Sequence, residues 1–267
     1  MADRDDFFYN AYSRFSDSVS MTIRQETFGV DIGQNSWLTV DEYERLLLEL
    51  NLSSDSHVLE VASGSGGPAL YLAHKAGCRV TGIDVNENGV ATANEMAARA
   101  GMTDRVRFNV ADANSPLPFD TGSFDGLICM DSMNHFPDRL AVMREWRRVL
   151  RPGHRALFTD PVVVTGPVTN DELAQRSSIG LFLFVPPGYN ETLIEQAGLR
   201  LIRKEDVSAN AALVSGRWYA ARAAHKAELV RVEGEERFEG LQKFFEAVHN
   251  LTGQRRLSRI AYLVEKE

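Results

Sequence analysis

Only two of the 267 residues are cysteine, Cys78 and Cys129. They lie far apart without partners at metal-ligand spacing, and Cys129 falls in an apolar run, so both are expected to be buried thiols and not ligands or nucleophiles. No metal is expected. No apolar run approaches the ~20 residues that a membrane-spanning helix needs. The N-terminal MADRDDFFYN is acidic and lacks the apolar segment of a signal peptide. These absences predict a soluble, cytoplasmic protein with no membrane insertion. Positive charge is also short: 29 Lys and Arg face 37 Asp and Glu, a net charge of −8. No like-charged block forms a basic stripe, so no nucleic-acid partner is expected. Internal repeats and low-complexity linkers are absent as well.

Apolar residues make up 44% of the chain and charged residues 25%, enough to bury the core of one large α/β domain with an elaboration. Short apolar runs alternate with helical patterns from residue 57 to about residue 162, the pattern of a doubly wound, mostly parallel sheet with helices on both faces. Strands are expected at 57–62, 79–84, 106–111, 124–130 and 156–160. GPALYLAHKAG, ENGVATANEMAARAG and DRLAVMREWRRVLRPG read as helices, the first two closing on Gly and the third stopped by Pro152 and Gly153. A helix at 189–198, a strand at 199–207 and a final strand in RLSRIAYLVEKE follow, giving seven strands. Residues 1–50 are expected to form a helical cap. Residues 51–267 then form the main domain, with a helical insertion at about 210–250 before the last strand. The loop FGVDIGQNSWLT in the cap is placed to cover the sheet's carboxyl edge, where open α/β folds bind ligands. Phe7, Phe8, Tyr9, Tyr12 and Phe15 read mainly as packing residues of the N-terminal helix.

The stretch GSGGPA, residues 64–69, fits the spacing G-x-G-x-x-A of a dinucleotide turn, and Asp84 ends the next strand where a carboxylate binds ribose hydroxyls. The turn lacks the G-K-[ST] of a phosphate loop. Glu60 ends the first strand beside it and brings negative charge where a pyrophosphate would otherwise sit at a helix N-terminus. That charge suits a cationic ligand; the other reading has Glu60 shaping the loop through its backbone.

VLEVASGSGG resembles the first motif of class I S-adenosylmethionine-dependent methyltransferases, an acid followed by G-x-G-x-G, with Ala62 in place of the first Gly. That departure is tolerable if Ala62 has negative φ, since Ala lacks only the positive-φ freedom of Gly. The resemblance continues through GIDVNENGV, VRFNVADANSPLPFDTGSFDGLICMDSMNHF and REWRRVLRPGHRALFTD, over residues 55–162 in family order. It implies S-adenosyl-L-methionine as cofactor. Asp84 would accept the ribose hydroxyls and Val85 would pack on adenine. Asp112 would accept the adenine amino group, and the Ala113 N–H would meet a ring nitrogen. Gly64 and Gly66 would admit the methionine part, with the Met130 carbonyl as acceptor for its amino group. Gln34, Ser36 and Trp37 resemble the N-terminal gate of small-molecule methyltransferases, meeting the cofactor carboxylate.

His135, just past the fourth strand in MDSMNHFPD, is the candidate general base for a hydroxyl acceptor. Asp160, in LFTDP, is the candidate group that orients the imidazole or binds the acceptor. The pair resembles the pattern in sugar and natural-product O-methyltransferases close to the ubiquinone/menaquinone type. The competing readings are a packing or capping His135, an Asp-Pro turn at Asp160, and an Asp131 that contacts cofactor or solvent. In the insertion, Arg217, Trp218, Tyr219, Arg222 and His225 are candidates to reach the acceptor. Phe182, Phe184 and Tyr189 give the pocket an apolar side. The absence of a [DN]-P-P-[YF] segment argues against methylation of nucleic-acid bases. The expected activity is methylation of a small-molecule hydroxyl. The alternatives are N- or C-methylation of a small molecule, a non-catalytic cofactor-binding protein, and, disfavoured by Glu60 and Asp112, a nicotinamide-dependent dehydrogenase.

Overall fold

A computed structural model describes Tyr12 and residues 14–267; Phe7, Phe8 and Tyr9 lie outside the described residues. Among the described residues, seven strands form one sheet: β1 (His57–Val61), β2 (Arg79–Asp84), β3 (Val106–Val110), β4 (Phe124–Cys129), β5 (Leu150–Val164), β6 (Arg200–Asp206) and β7 (Leu257–Glu265), in the order β3-β2-β1-β4-β5-β7-β6. β1 to β5 pair in parallel, and β7 runs antiparallel between β5 and β6. Order reverses between β1 and β4, which opens a crevice at the carboxyl ends of those strands.

All six residues of β4 are buried, as a central strand covered on both faces requires. One face packs around Trp146, Met143, Phe158 and Tyr262, the other around Tyr43, Leu72, Val80 and Leu157. Neighbours on β5 thus serve opposite layers, as the period of a strand dictates. Helices α3 (Gly67–Ala76), α4 (Glu87–Arg99) and α5 (Arg139–Val149) connect the parallel strands. Asn86 caps α4 by accepting the Gly89 N–H at 3.0 Å, and Asp138 caps α5 by accepting that of Ala141 at 2.9 Å. Pro152 and Gly153 do not end the third helix: α5 stops at Val149, and these residues already lie in β5. β5 also runs on to Val164, because Val163 and Val164 still pair with Ser258 and Leu257 of β7.

Before the sheet come α1 (Ser18–Phe28) and α2 (Val40–Leu47), joined by the loop of residues 29–39. That loop presses on the start of α3. A Cβ at Gly67 would lie 1.9 Å from the Ile32 carbonyl oxygen, so only Gly fits there, and Ser65 Oγ donates to the Gly33 carbonyl at 3.0 Å. After β5 come α6 (Asn170–Arg176) and α7 (Tyr189–Gln196). Three helices then stand between β6 and β7: α8 (Ser208–Ala224), α9 (Lys226–Glu233) and α10 (Glu235–Gly253). α8 packs against both α1 and α10, which carries these helices over the carboxyl edge of the sheet. No described helix is long and apolar enough to cross a membrane.

Candidate active site

A cleft of about 740 Å³ opens at that edge. Its floor comes from the turns after β1, β2, β3 and β4, and its roof from α1, the 29–39 loop, α8, α9 and α10. Asp84 fixes the floor: Oδ2 accepts the Gly64 N–H and Oδ1 the Asn86 N–H, both at 2.8 Å, tying the first turn to the second. Val85, beside it, is 63% exposed and lines the cleft. Asp112 and Ala113 line the same end, the Asp112 Oδ1 accepting from Asn114 N and Nδ2 at 2.9 Å each. Met130 lines the cleft at the end of β4, and its carbonyl accepts from Ser132 Oγ at 3.0 Å.

Glu60 is buried in the floor, and its Oε2 has no hydrogen-bond partner among the described residues. Burial and then the charge of Asp84 push its pKa up to about 8, opposed by the Ala69 backbone N–H at the start of α3. Ser36 Oγ and Ser63 Oγ are also buried in the cleft wall without hydrogen-bond partners among the described residues. A ligand seated here would meet a carboxyl and two hydroxyls whose bonds are unmade.

Four expectations need correction. Ala62 lines the cleft at φ 58°, in the left-handed region and not at negative φ. The chain reverses sharply between β1 and the turn, and Ala accepts there a strain that Gly would not feel. Gly66 does not face the cleft: at φ 77° it packs towards the sheet, where a Cβ would stand 2.5 Å from the Phe108 ring. Gln34 is fully buried inside its own loop, Oε1 accepting from Ile32 N at 2.8 Å and Nε2 donating to the Val30 carbonyl at 3.2 Å. It shapes the gate without lining the cleft. Asp160 is fully buried away from the cleft; its Oδ2 accepts from Arg139 Nη1 at 2.6 Å and Asn190 Nδ2 at 2.8 Å. It holds α5 and α7 to the sheet, and its carboxylate is committed to those partners instead of the His135 imidazole.

His135 ends a 3₁₀ turn, Met133–His135, and lines the cleft. Its Nδ1 lies 2.7 Å from the Leu181 carbonyl oxygen, which can only accept, so Nδ1 carries the proton. Nε2 then presents its lone pair, 3.1 Å from Asn134 Nδ2. The ring meets Phe182 edge-on at 4.9 Å. Beyond it rises an aromatic wall of Trp37, Phe182, Trp218, Phe244 and Phe245, with Trp218 stacked on Phe245 at 5.4 Å. Trp218 and Arg222 of α8 line the cleft. Arg217, Tyr219 and His225 do not, nor do Phe184 and Tyr189.

The gate is anchored by a buried network that the sequence motifs do not announce. Asp131, at φ 55°, accepts the Trp37 N–H at 2.8 Å, Thr159 Oγ1 at 2.7 Å and Arg259 Nε at 2.6 Å. Arg259 Nη1 in turn reaches Glu42 Oε2 at 2.5 Å, and Asn210 Nδ2 donates both to that oxygen and to the Trp37 carbonyl. One buried ion cluster therefore ties the gate loop, α2, β4, β5, α8 and β7 together beside the cleft. Its signal was an arginine inside the apolar run LSRIAYLV, a charge that burial obliges to find partners.

The cleft-forming segment, residues 58–153, matches the family model described as a methyltransferase domain. Those residues are a methyltransferase domain. The chain is similar to methyltransferase GfsG of Streptomyces halstedii, 40% identical over 171 residues that cover 62% of this chain and 60% of that protein. It is also similar to the 27-O-demethylrifamycin SV methyltransferase of Amycolatopsis mediterranei, 36% identical over 168 residues, 62% of this chain and 61% of that one. The matches thus span about three fifths of these relatives. The structure of Haemonchus contortus phosphoethanolamine N-methyltransferase 2 in complex with S-adenosyl-L-methionine shares the fold, with a TM-score of 0.80 at 19% identity over 97% of this chain and 60% of that one.

Proposed function

We propose that this protein transfers the methyl group of S-adenosylmethionine to a hydroxyl of a small molecule, with His135 as general base. The observation that carries the reading is the imidazole at the cleft, held by the Leu181 carbonyl in the tautomer that leaves Nε2 able to take a proton. The 27-O-demethylrifamycin relative is itself named for a reaction at oxygen. The bound cofactor supplies a sulfonium methyl group. The cleft fits such a cation, since Glu60 Oε2 is buried beside it without a partner.

Asp84 and Asp112 would hold the ribose and adenine donors, Val85 and Ala113 would border the adenine, and Gly64, Met130 and Ala62 would border the methionine part, with Trp37 at the gate. The aromatic wall excludes water, which favours a displacement whose charge disperses in the transition state. The three helices at 208–253 would act as a lid over a small acceptor. His135 Nε2 would accept the hydroxyl proton as oxygen is methylated, and Asn134 Nδ2 would direct its lone pair until the acceptor arrives.

The test is a screen of phenols, sugars, quinols and amines, read by S-adenosylhomocysteine formation, followed by His135→Ala. Turnover of a hydroxyl acceptor is expected to fall ~10²–10⁴-fold with cofactor affinity nearly intact, and the rising limb of the pH profile to vanish. Near-wild-type turnover in His135→Ala would refute the base and favour amine or carbon methylation.

A further inference from the structure

Arg176, the last residue of α6, is 1% exposed, and its Nε, Nη1 and Nη2 all lack hydrogen-bond partners among the described residues. Its guanidinium carbon lies 4.7 Å from the Phe182 ring centroid, 5.3 Å from that of Phe244 and 5.8 Å from that of Trp37. All three rings line the cleft, and Phe182 also touches His135. Ring faces attract a cation but do not satisfy N–H donors. The carboxylates whose charges reach Arg176, Asp131 and Asp160, are already bonded to Arg259 and Arg139. Burial lowers the Arg176 pKa, to about 9, and leaves the group a cation at neutral pH. A charge buried with its donors unmade destabilises the free protein, and the fold here keeps one against the aromatic rings of the cleft wall.

We propose that Arg176 is the anion-binding group of the acceptor pocket, and that the acceptor carries a carboxylate which reaches the guanidinium between the rings of Trp37, Phe182 and Phe244. A carboxylate matches the planar guanidinium fork with two parallel hydrogen bonds. Its single charge suits a site already bordered by Asp131 and Asp160 better than a doubly charged phosphate does. Phe182 is the ring able to yield. It is half-buried in the irregular segment 177–184, whose backbone is held on both sides of it: the Leu181 carbonyl accepts from His135 Nδ1 at 2.7 Å, Leu183 N donates to the Asn134 carbonyl at 2.9 Å and Arg139 Nη2 donates to the Leu183 carbonyl at 2.8 Å, so the ring yields by rotation of its side chain and not by movement of the chain. The inference rests on the reading that the acceptor occupies the cleft beside His135.

The experiment uses full-length protein saturated with S-adenosylhomocysteine and titrated with benzoate and, separately, with its neutral ester methyl benzoate, followed by tryptophan fluorescence. Wild type is expected to bind benzoate ten- to a hundredfold more tightly than the ester, the scale of charge-assisted hydrogen bonds. Arg176→Met is expected to lose that preference, and Arg176→Lys to keep part of it. Without ligand, Arg176→Met is expected to melt at a higher temperature than wild type, because it removes an unpaired buried charge; a purely structural arginine would make it melt lower. Equal binding of acid and ester in wild type, or a preference that survives in Arg176→Met, overturns the role of Arg176 and leaves the acceptor pocket standing. Binding of neither compound overturns both.

Discussion

Replacing Glu60 with Gln tests the electrostatics of the cleft floor without touching its shape. The native carboxyl titrates at about 8 against an ordinary 4.5, because burial and then Asp84 disfavour its charge. Between those two values the folded protein holds a proton that the unfolded chain has lost, so stability falls as pH rises through this window. A shift of about 3.5 pH units at 1.36 kcal/mol each amounts to ~5 kcal/mol. Gln is neutral throughout and resembles the protonated carboxyl. The variant should match wild type near pH 4.5, gain on it by ~1.4 kcal/mol per pH unit above that, and level off past pH 8. Urea unfolding of both proteins at one-unit steps from pH 5 to pH 9 measures the difference, in which the contributions of all other groups cancel. A difference that stays constant with pH would refute the reasoning. The same proton links to the ligand. A cationic cofactor favours the ionised carboxylate, so wild type should release protons on binding S-adenosylmethionine near neutral pH, and Glu60→Gln should not.

Asp160→Asn should leave the Arg139 guanidinium without its buried counter-charge and cost ~3–5 kcal/mol of stability in denaturant titration; an unchanged midpoint would show that Asn190 suffices. Ala62→Val should lose ~1–2 kcal/mol at its left-handed φ, where a branched side chain fits worse than Ala, while Ala62→Gly should lose none; equal melting of the three proteins would deny the strain. The helices of residues 208–253 should gain protection from hydrogen exchange when cofactor and acceptor are both bound, and identical exchange would leave them no role as a lid.

The sheet was legible because buried parallel strands write themselves as short apolar runs. The carboxylates at the ends of those runs were equally visible, since Asp84 and Asp112 follow their strands in fixed order. What failed was orientation. Thr159 and Asp160 are neighbours on β5 and point to opposite faces: Thr159 meets Asp131 beside the cleft, and Asp160 meets Arg139 in the core. Nothing in LFTDP states which of the two turns inward. Backbone hand was hidden in the same way, for Ala62 and Asp131 both adopt positive φ at residue types that seldom do. Gln34 and Trp37 sat in one loop and received the same reading, yet one closes the loop on itself and the other faces the cleft. Arg176 carries no local pattern at all. Its burial follows from three aromatic residues, Trp37, Phe182 and Phe244, supplied by three separate segments of the chain, which a linear reading does not bring together.

The central claim is that the turns after β1, β2 and β3 hold S-adenosylmethionine, with Asp84 as the carboxylate for the ribose. Isothermal titration of wild type and Asp84→Ala with S-adenosylhomocysteine and with NADH tests it most directly. The account predicts one S-adenosylhomocysteine per chain, no heat from NADH, and an affinity reduced by ~1.5–3 kcal/mol in Asp84→Ala, the loss expected for charge-assisted hydrogen bonds. Unchanged affinity in Asp84→Ala, or saturable binding of NADH in place of S-adenosylhomocysteine, would contradict it.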